Sequence, residues 1–259
     1  MKQEERKLRV KRMLAGVMSA MMLISAADVS GWGSVVVKAE ETAAETHHFD
    51  SNGFCTDKNC DGYEPAVLTT DKYDINNDQK MDEVYEIANA GQLYWFAGLI
   101  NGTLSEIEGK TWANAVLTSD ITINKNVIED GKLSANYAGF RKWSVMNTFQ
   151  GVFDGSGHKI SGLYVDSADS ECVGLFGRVF QAVRNIELED YYIAGDSKVG
   201  AIAGENQGTI SYCRTNGVVT GRSAVGGISG YGMGTIADCA HAGSVKGNGE
   251  CEYIGGICG

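Results

Sequence analysis

Two cysteines and two histidines near the start of the chain are the residues best placed to do chemistry. Cys55 and Cys60 are separated by four residues, and His47 and His48 lie just upstream. Thiolate and imidazole suit tetrahedral Zn²⁺, so this segment is a candidate zinc site. A disulfide between Cys55 and Cys60 is the alternative, and export to an oxidising compartment would favour it. The spacing lies at the upper end of zinc-ligand spacings and no second cysteine pair is near, so the disulfide is the favoured interpretation.

A second candidate metal site follows in the acidic stretch Asp74–Asp82. Oxygen-bearing side chains occupy positions 1, 3, 5 and 9 of a possible calcium loop that starts at Asp74. Position 6 is Gln79, where the turn needs glycine, and position 12 is Tyr85, where a bidentate carboxylate belongs. The mismatch favours a simple acidic loop before a strand, and we predict no cofactor and no metal for the chain.

Candidates for acid–base catalysis are sparse. Asp154 and His158 are four residues apart in a glycine-rich turn, where an Asp usually bonds its own backbone. The acidic residues farther along read as a solvated edge. They are Asp166, Asp169, Glu187, Glu189 and Asp190. We find no Ser/His/Asp arrangement and no phosphate-binding loop, and we assign no catalytic residue.

The element that must carry these residues is a repeat. A short phrase recurs four times in the C-terminal half, at spacings of 26 to 29 residues. Its copies are VGLFG at 173–177, VGAIAG at 199–204, VGGISG at 225–230 and IGGICG at 254–259. A period this short and regular predicts a solenoid, in which each repeat stacks on the next. The runs are short, β-branched and broken by glycine, so the predicted fold class is all-β, a parallel β-helix.

Equivalent side chains should stack in columns about 4.8 Å apart. One interior column is predicted to hold Leu175, Ile202, Ile228 and Ile257, and another Ile193, Val219 and Val245. We also predict that Ile160, Ile186, Ile210 and Ile236 are equivalent, which would place Leu163, Cys213 and Cys239 in one inward column. Glycines of the phrase are expected at corners that need a positive φ or a close backbone approach.

The block at 149–165 and the GlyLeuPheGly at 174–177 make the chain resemble the GLUG-repeat family of bacterial secreted and surface proteins. The later copies depart from the signature and carry Ala-Ile-Ala, Gly-Ile-Ser and Gly-Ile-Cys instead. The resemblance covers roughly residues 85–259. It implies a right-handed β-helix and a place on adhesin-like surface proteins. The family has no assigned catalytic residues, so the resemblance transfers none.

One helix is predicted before the repeats, over residues 89–101. Asn89 can cap it, Gln92 sits where a capping box needs it, and Gly102 ends it. Its apolar face should cover the open first coil. The aromatic run 94–96 could instead stack on sugar, but the cap is favoured because the apolar face needs burial. Residues 112–124 are predicted as the first coil strand and 125–148 as a loop.

The first 39 residues predict export. Six basic residues precede a 15-residue apolar run, 13–27, which is short for a membrane span and typical of a signal peptide. Cleavage before Glu40 is expected, and an uncleaved anchor is the alternative. Seven of the 22 basic but only three of the 33 acidic residues would be lost, so the mature chain is more acidic than the net −11 of the whole. Neither nucleic acid nor a membrane span in the mature chain is expected.

The predicted organisation is a signal peptide at 1–39, a linker with a small Cys-containing segment at 40–82, and a β-helix at 83–259. The chain stops after the fourth phrase without the half-coil that follows each earlier one, so we expect it to be truncated. The predicted function is a secreted or cell-surface binding, adhesion or stalk module without catalysis. Its expected partner is a host or matrix glycan or protein. The alternative is a polysaccharide-active lyase or glycoside hydrolase on the same scaffold.

Overall fold

The computed structural model describes residues 47–58, 60, 62–105 and 107–259, with backbone alone at 250 and 251. The predicted signal peptide, 1–39, and the linker up to residue 46 lie outside the described residues. Within the described part there are 22 strands and a single α-helix, α1 (Ala90–Asn101). The first eleven strands are β1 (Val67–Thr69), β2 (Val84–Ile87), β3 (Asn114–Leu117), β4 (Ile121–Thr122), β5 (Ile128–Glu129), β6 (Lys132–Leu133), β7 (Met146–Phe149), β8 (Val152–Asp154), β9 (Lys159–Ser161), β10 (Tyr164–Asp166) and β11 (Glu171–Val173). The other eleven are β12 (Phe176–Val179), β13 (Ala182–Arg184), β14 (Glu187–Ala194), β15 (Ser197–Gly200), β16 (Ala203–Asn206), β17 (Thr209–Ser211), β18 (Arg214–Gly226), β19 (Ser229–Gly232), β20 (Thr235–Ala237), β21 (Ala240–His241) and β22 (Ser244–Gly255).

The strands form three stacked faces of a parallel β-helix. One face runs β1-β2-β3-β8-β13-β17-β20, and a second runs β7-β12-β16-β19. The third is centred on β14 and β18, which pair with each other and with strands of the coils on either side. Pairing on these faces is parallel except between β1 and β2. Each strand therefore bonds to its equivalent in the next coil, and the predicted all-β solenoid is confirmed.

Helix α1 closes the N-terminal end of this solenoid, as predicted. Asn89 caps it by accepting a hydrogen bond from the amide of Gln92 at 2.9 Å. The Gln92 side chain reaches back to the amide of Ala88 at 2.7 Å, one residue earlier than in a capping box. Gly102 ends the helix with φ +65°. Phe96 points into the coil interior, with its ring 6.1 Å from that of Phe153.

The helix is inserted between two coil strands that pair with each other. Strand β2 precedes α1 and runs parallel to β3, which follows it. The first parallel coil strand is therefore β2, and the prediction that residues 112–124 provide it is wrong. The pairing of β2 with β3 is not evident from the sequence because α1 separates the two strands along the chain.

One predicted interior column is confirmed by the register, and a second is confirmed for three of its four members. Ile193 pairs with Val219 and Val219 with Val245. Ile257, the fourth member of the other column, is 36% exposed in the last described coil, so its predicted interior position is wrong. Leu175, Ile202 and Ile228 are fully buried, and the backbone of each coil bonds to the next at these positions. These side chains fill the coil interior, so burial of this apolar surface is the main stabilising term of the repeat.

The column predicted for Ile160 is wrong. Ile160 pairs with Leu188, whereas the strand partners of Ile210 are Val183 and Ile236. Leu163 is likewise outside the cysteine column, because its neighbour Tyr164 pairs with Tyr192. The coil that starts near residue 153 has longer turns than the later coils, so a constant period misassigns its strands.

Positive φ in the coils is found at Gly157 and Gly162 but recurs mainly at residues other than glycine. Two sets of equivalent residues have φ between 51° and 59°. One set is Cys172, Lys198, Ala224 and Tyr253, and the other is Asn185, Tyr212 and Asp238. Gly204 and Gly230 serve for close approach instead, because a Cβ there would overlap the backbone of Cys172 and of Lys198–Val199. Glycine was predicted either for positive φ or for close backbone approach, and Gly204 and Gly230 serve the second purpose.

The predicted loop at 125–148 carries a small hairpin of β5 and β6 and then joins β7. Asp190 holds the hairpin, since its carboxylate accepts the amides of Val127 at 3.1 Å and Ile128 at 2.8 Å. Trp143 returns the loop to the solenoid, where its Nε1 donates to the carbonyl of Leu175 at 3.1 Å. The insertion is therefore anchored at both ends and packs beside α1.

Candidate functional site

An aromatic wall stands where the N-terminal segment packs on helix α1. Tyr94 lies at its centre, with ring centroids 5.3 Å from Tyr63, 5.8 Å from Phe54 and 5.0 Å from Trp143. Its hydroxyl donates to the carbonyl of Lys142 at 2.9 Å. Burial raises the pKa of Tyr94, so this donor stays protonated over the physiological range. The wall is rigid because each ring is held by another ring or by a hydrogen bond.

A groove of about 570 Å³ opens beside this wall. Trp95, Tyr63 and Phe49 contribute aromatic surface, while Thr103 and Ser144 contribute hydroxyl groups. Trp95 is only partly buried, so part of its ring borders the open space. The mixture of aromatic faces and hydroxyls in a pocket of this size is typical of small-ligand sites. Helix α1 is largely buried, as its predicted role as a cap requires, and Trp95 borders the groove.

His47 lies at the edge of the groove and joins it to the cysteine pair. Its Nδ1 is 3.3 Å from the Sγ of Cys60 and 3.6 Å from the Sγ of Cys55. The two sulfurs are in bonding contact, with Cα atoms 6.0 Å apart, as a disulfide requires. His48, the other histidine considered as a ligand, instead bonds through Nδ1 to Asp57 at 3.0 Å.

Asp57 was not among the predicted site residues, yet it belongs to this cluster. Its Oδ2 is 3.5 Å from the Sγ of Cys55. The backbone amide of His48 donates to the same carboxylate at 2.9 Å, and this bond together with the His48 ring holds the pKa of Asp57 below its ordinary value. The sequence offered one indication of this contact, since Asp57 follows Cys55 by two residues. Among the described residues, these cysteines and His47 are the group whose ligand atoms converge closely enough for a metal.

The acidic loop at 74–82 is held together by its own backbone. Asp74 accepts the amides of Asp78 at 3.0 Å and Gln79 at 2.8 Å, and Asp82 accepts the amide of Ile75 at 3.0 Å. Asn77 and Gln79 both adopt positive φ in the turn. The carboxylates therefore organise the loop, in agreement with its interpretation as a structural element.

Asp154 and His158 are near in sequence but bond to different partners. Asp154 accepts the amide of Ser156 at 2.8 Å, the turn bond predicted for it, and it also pairs with Arg184 and Asn185. Burial opposes its ionisation, but the bonds from Asn185 and Arg184 prevail and lower its pKa. His158 pairs with Asp120 at 3.1 Å. The two candidates for acid–base work are thus not brought together.

A charged cluster on the second face was missed by the sequence analysis. Glu205 is 6% exposed, and Lys198 donates to it at 2.8 Å while Arg178 lies at 3.6 Å. The bond from Lys198 lowers the pKa of Glu205. Arg178 and Glu205 are register partners on neighbouring coils, which is how opposite charges become neighbours. An alignment of the repeats places Arg178 opposite Glu205, so this ion pair could have been predicted from the sequence.

Comparison with known proteins finds similarity over short stretches of the chain. No protein-family model matches the chain. Halomucin of Haloquadratum walsbyi is 39% identical over 74 residues, which are 28% of this chain and 1% of halomucin. A protein of Evansella cellulosilytica, provisionally described as a Gly-rich membrane protein, is 36% identical over 69 residues, 25% of this chain and 8% of its own. The chain therefore spans a small part of the length of either relative.

Among solved structures, one provisionally described as an immunoglobulin A1 protease from Bacteroides ovatus is similar in part. It matches 68% of this chain and 61% of its own chain, with 21% identity and a TM-score of 0.45. We draw no functional conclusion from a likeness at this level. Across the described residues, the structure contains no helix with the length and apolar character that crossing a bilayer requires.

Proposed function

We propose that this chain is a secreted or cell-surface β-helix module that binds a ligand in the aromatic groove and performs no catalysis. The observation that carries the proposal is the groove itself, a preformed concave surface beside the capped end of a rigid solenoid. Ligand sites are commonly built where a rigid scaffold presents less regular segments, here the N-terminal segment and the 103–107 loop. Membership of the GLUG-repeat family is part of this proposal.

The pairing of charged side chains supports a non-catalytic role. Asp154 is engaged by Arg184 and Asn185, and Glu205 by Lys198. A general acid or base needs a group that can reach the reacting proton at an appropriate pKa. Carboxylates held ionised by fixed cationic partners serve better as structural links between coils than as proton donors.

The expected location rests on two observations. The segment 1–39 has the features of a signal peptide, and parts of the chain are similar to short stretches of halomucin and of a protein described as a membrane protein. Export would also suit the acidic mature chain, since a surface of one sign of charge keeps a protein soluble.

A glycan is the ligand class that the groove favours. Aromatic rings such as Trp95 present an apolar face to the C–H face of a sugar ring, and the hydroxyls of Thr103 and Ser144 can bond its hydroxyls. The volume of about 570 Å³ suits one or two sugar rings within the range of small-ligand pockets. A protein ligand would need more surface than this groove supplies.

A glycan array probed with the purified mature chain tests the proposal, and hits are quantified by calorimetry. Trp95→Ala and Ile107→Arg should each weaken binding at least about tenfold, the second because exposed Ile107 lines the groove. Trp112→Ala is the matched control, since this exposed Trp does not line the groove. Thermal melting confirms that each variant is folded.

Three outcomes would contradict the proposal in different ways. Absence of any glycan binding would leave the module as a stalk. Equal binding by the groove variants and the wild type would move the ligand elsewhere on the solenoid. Release of reducing sugar from pectin or mucin by the wild-type chain would overturn the non-catalytic assignment.

A further inference from the structure

We propose that His47, Cys55 and Cys60 bind Zn²⁺ in the chain whose two cysteines are thiols, with the Asp57 carboxylate beside Cys55. The site is independent of the groove's ligand and goes beyond the binding function. Zn²⁺ would replace the disulfide as the link that closes the segment 47–62. Each thiol would lose its proton to solvent on binding, so the ion would meet two thiolates and an imidazole, and water would take the fourth position.

The distances from His47 to the two sulfurs are close to those that a tetrahedral zinc ion imposes. Zinc bonds sulfur at about 2.3 Å and nitrogen at about 2.0–2.1 Å, so a nitrogen should lie about 3.5–3.6 Å from a sulfur across the ion. His47 Nδ1 lies 3.3 and 3.6 Å from the two sulfurs. The sulfurs are in bonding contact in the disulfide, and after reduction they would have to move to about 3.8 Å apart to share the ion.

Groups around the ligands orient them, as in structural zinc sites. His48 holds Asp57 beside Cys55, because its Nδ1 contacts Asp57 Oδ1 at 3.0 Å and its backbone amide donates to Asp57 Oδ2 at 2.9 Å. The amide of Gly62 donates to the Sγ of Cys60 at 3.3 Å, a bond that stabilises a thiolate. Outer contacts of this kind fix ligand orientation and contribute to metal affinity.

The backbone of the segment is closed without the sulfur–sulfur bond. The amide of Cys55 donates to the carbonyl of Gly62 at 3.0 Å, and that of Cys60 donates to the carbonyl of Asp57 at 3.1 Å. Thr56 and His48 are joined by a further backbone bond of 2.8 Å. Once the cysteines are reduced, rotation about their Cα–Cβ bonds can separate the sulfurs while these backbone hydrogen bonds keep the two cysteines close.

The position of the site gives the metal a structural consequence. His47 lines the ligand groove, and Phe54, next to Cys55, packs on Tyr94 of helix α1. Zinc at this point would fix the segment that forms one wall of the groove and covers the helix. The metal-bound form and the disulfide form would therefore hold the same segment against helix α1 by different bonds. The two forms exclude each other, because a sulfur in the disulfide cannot bind the metal as a thiolate.

Cobalt titration of the purified chain tests the proposal. The chain is reduced with a phosphine, freed of metal under anaerobic conditions and titrated with Co²⁺, then with Zn²⁺. We expect one equivalent of cobalt to give strong ligand-field bands and thiolate-to-cobalt charge transfer, and zinc to displace it. The oxidised chain should give neither signal.

Variants separate a built site from adventitious thiolate binding. His47→Ala should lower the zinc affinity of the reduced chain about tenfold or more, and Asp57→Asn and His48→Gln should lower it less. His158→Ala is the control, since His158 pairs with Asp120 away from the cysteines. Failure of the reduced wild type to bind one equivalent, or unchanged affinity in His47→Ala, would overturn the assignment. Melting of the reduced chain should rise on adding zinc, and no rise would contradict a structural role.

Discussion

Arg184 Nε donates to Asp154 Oδ2 at 2.7 Å and so ties two neighbouring coils of the solenoid. The same guanidinium donates through Nη2 to the carbonyl of Ile75 at 2.9 Å, which lies in the loop before the first coil strand. Both side chains of the pair are largely buried. The ion pair is thus a clamp between the solenoid and its N-terminal loop.

Removal of this clamp should destabilise the chain substantially. Arg184→Ala leaves the partly buried carboxylate of Asp154 with fewer partners, and we expect a loss of about 2–3 kcal/mol in the free energy of unfolding. Arg222→Ala is the control, because its bidentate pair with Asp196 is far more exposed and should contribute less than about 1 kcal/mol. Urea unfolding measures both, and equal losses would show that burial of the clamp does not matter.

Stability should also fall in mildly acidic solution through His241. Burial lowers its pKa from the ordinary 6.5, its Nδ1 lies 2.9 Å from Thr215 Oγ1, and its Nε2 is buried without a partner. The unfolded chain therefore binds a proton more readily than the folded chain. The stability contribution is present above pH 6.5 and is lost as pH falls from there through the lower folded pKa.

His241→Gln should flatten this dependence. Melting temperatures measured between pH 8 and pH 5 are expected to fall less steeply in the variant than in the wild type. His158→Gln serves as comparison, since His158 pairs with Asp120 at the surface. A wild-type slope retained in His241→Gln would assign the pH dependence to other groups.

The glycines of the repeat phrase should resist enlargement. A Cβ on Gly204 or Gly230 would meet the backbone of the neighbouring coil, so Gly204→Val and Gly230→Val should each cost at least about 1–3 kcal/mol. Damage should extend to adjacent coils because each coil is held by its neighbours. Gly139→Ala is the control, with open space around its Cβ position. Unchanged unfolding of both valine variants would show that the coils can separate at these points.

The stacked cysteines should remain thiols in the native protein. Cys213 is fully buried and Cys239 packs against the same core, and both are free. The neighbouring Cys239 and burial raise the pKa of Cys213, which keeps it protonated and unreactive. Iodoacetamide should label Cys213 only after unfolding, as mass spectrometry can show. A native Cys213–Cys239 disulfide would contradict the stacked-thiol arrangement, as parallel side chains on adjacent coils fit that bond poorly.

Much of the solenoid follows from the sequence alone. The regular phrase and its β-branched residues determine the parallel β-helix, and Val219 and Val245 could be assigned to a column because the last coils have nearly constant length. The ends of helix α1 could also be predicted from the sequence, since Asn89 and Gly102 are residues that cap helices through local contacts. These features depend on short-range preferences that any one repeat or helix end displays.

Only the tertiary structure decided the register of the first coils and the composition of the candidate sites. Ile160 pairs with Leu188 because the turn before Ile160 is longer than its equivalent in the next coil, and only the strand pairing shows which turn carries the extra residues. Corner residues such as Lys198 adopt positive φ because stacking on both neighbours outweighs the local cost, which favours glycine in an isolated turn. Asp57 and His47 reach the cysteines through a fold of the backbone between them, and no spacing rule specifies such a contact.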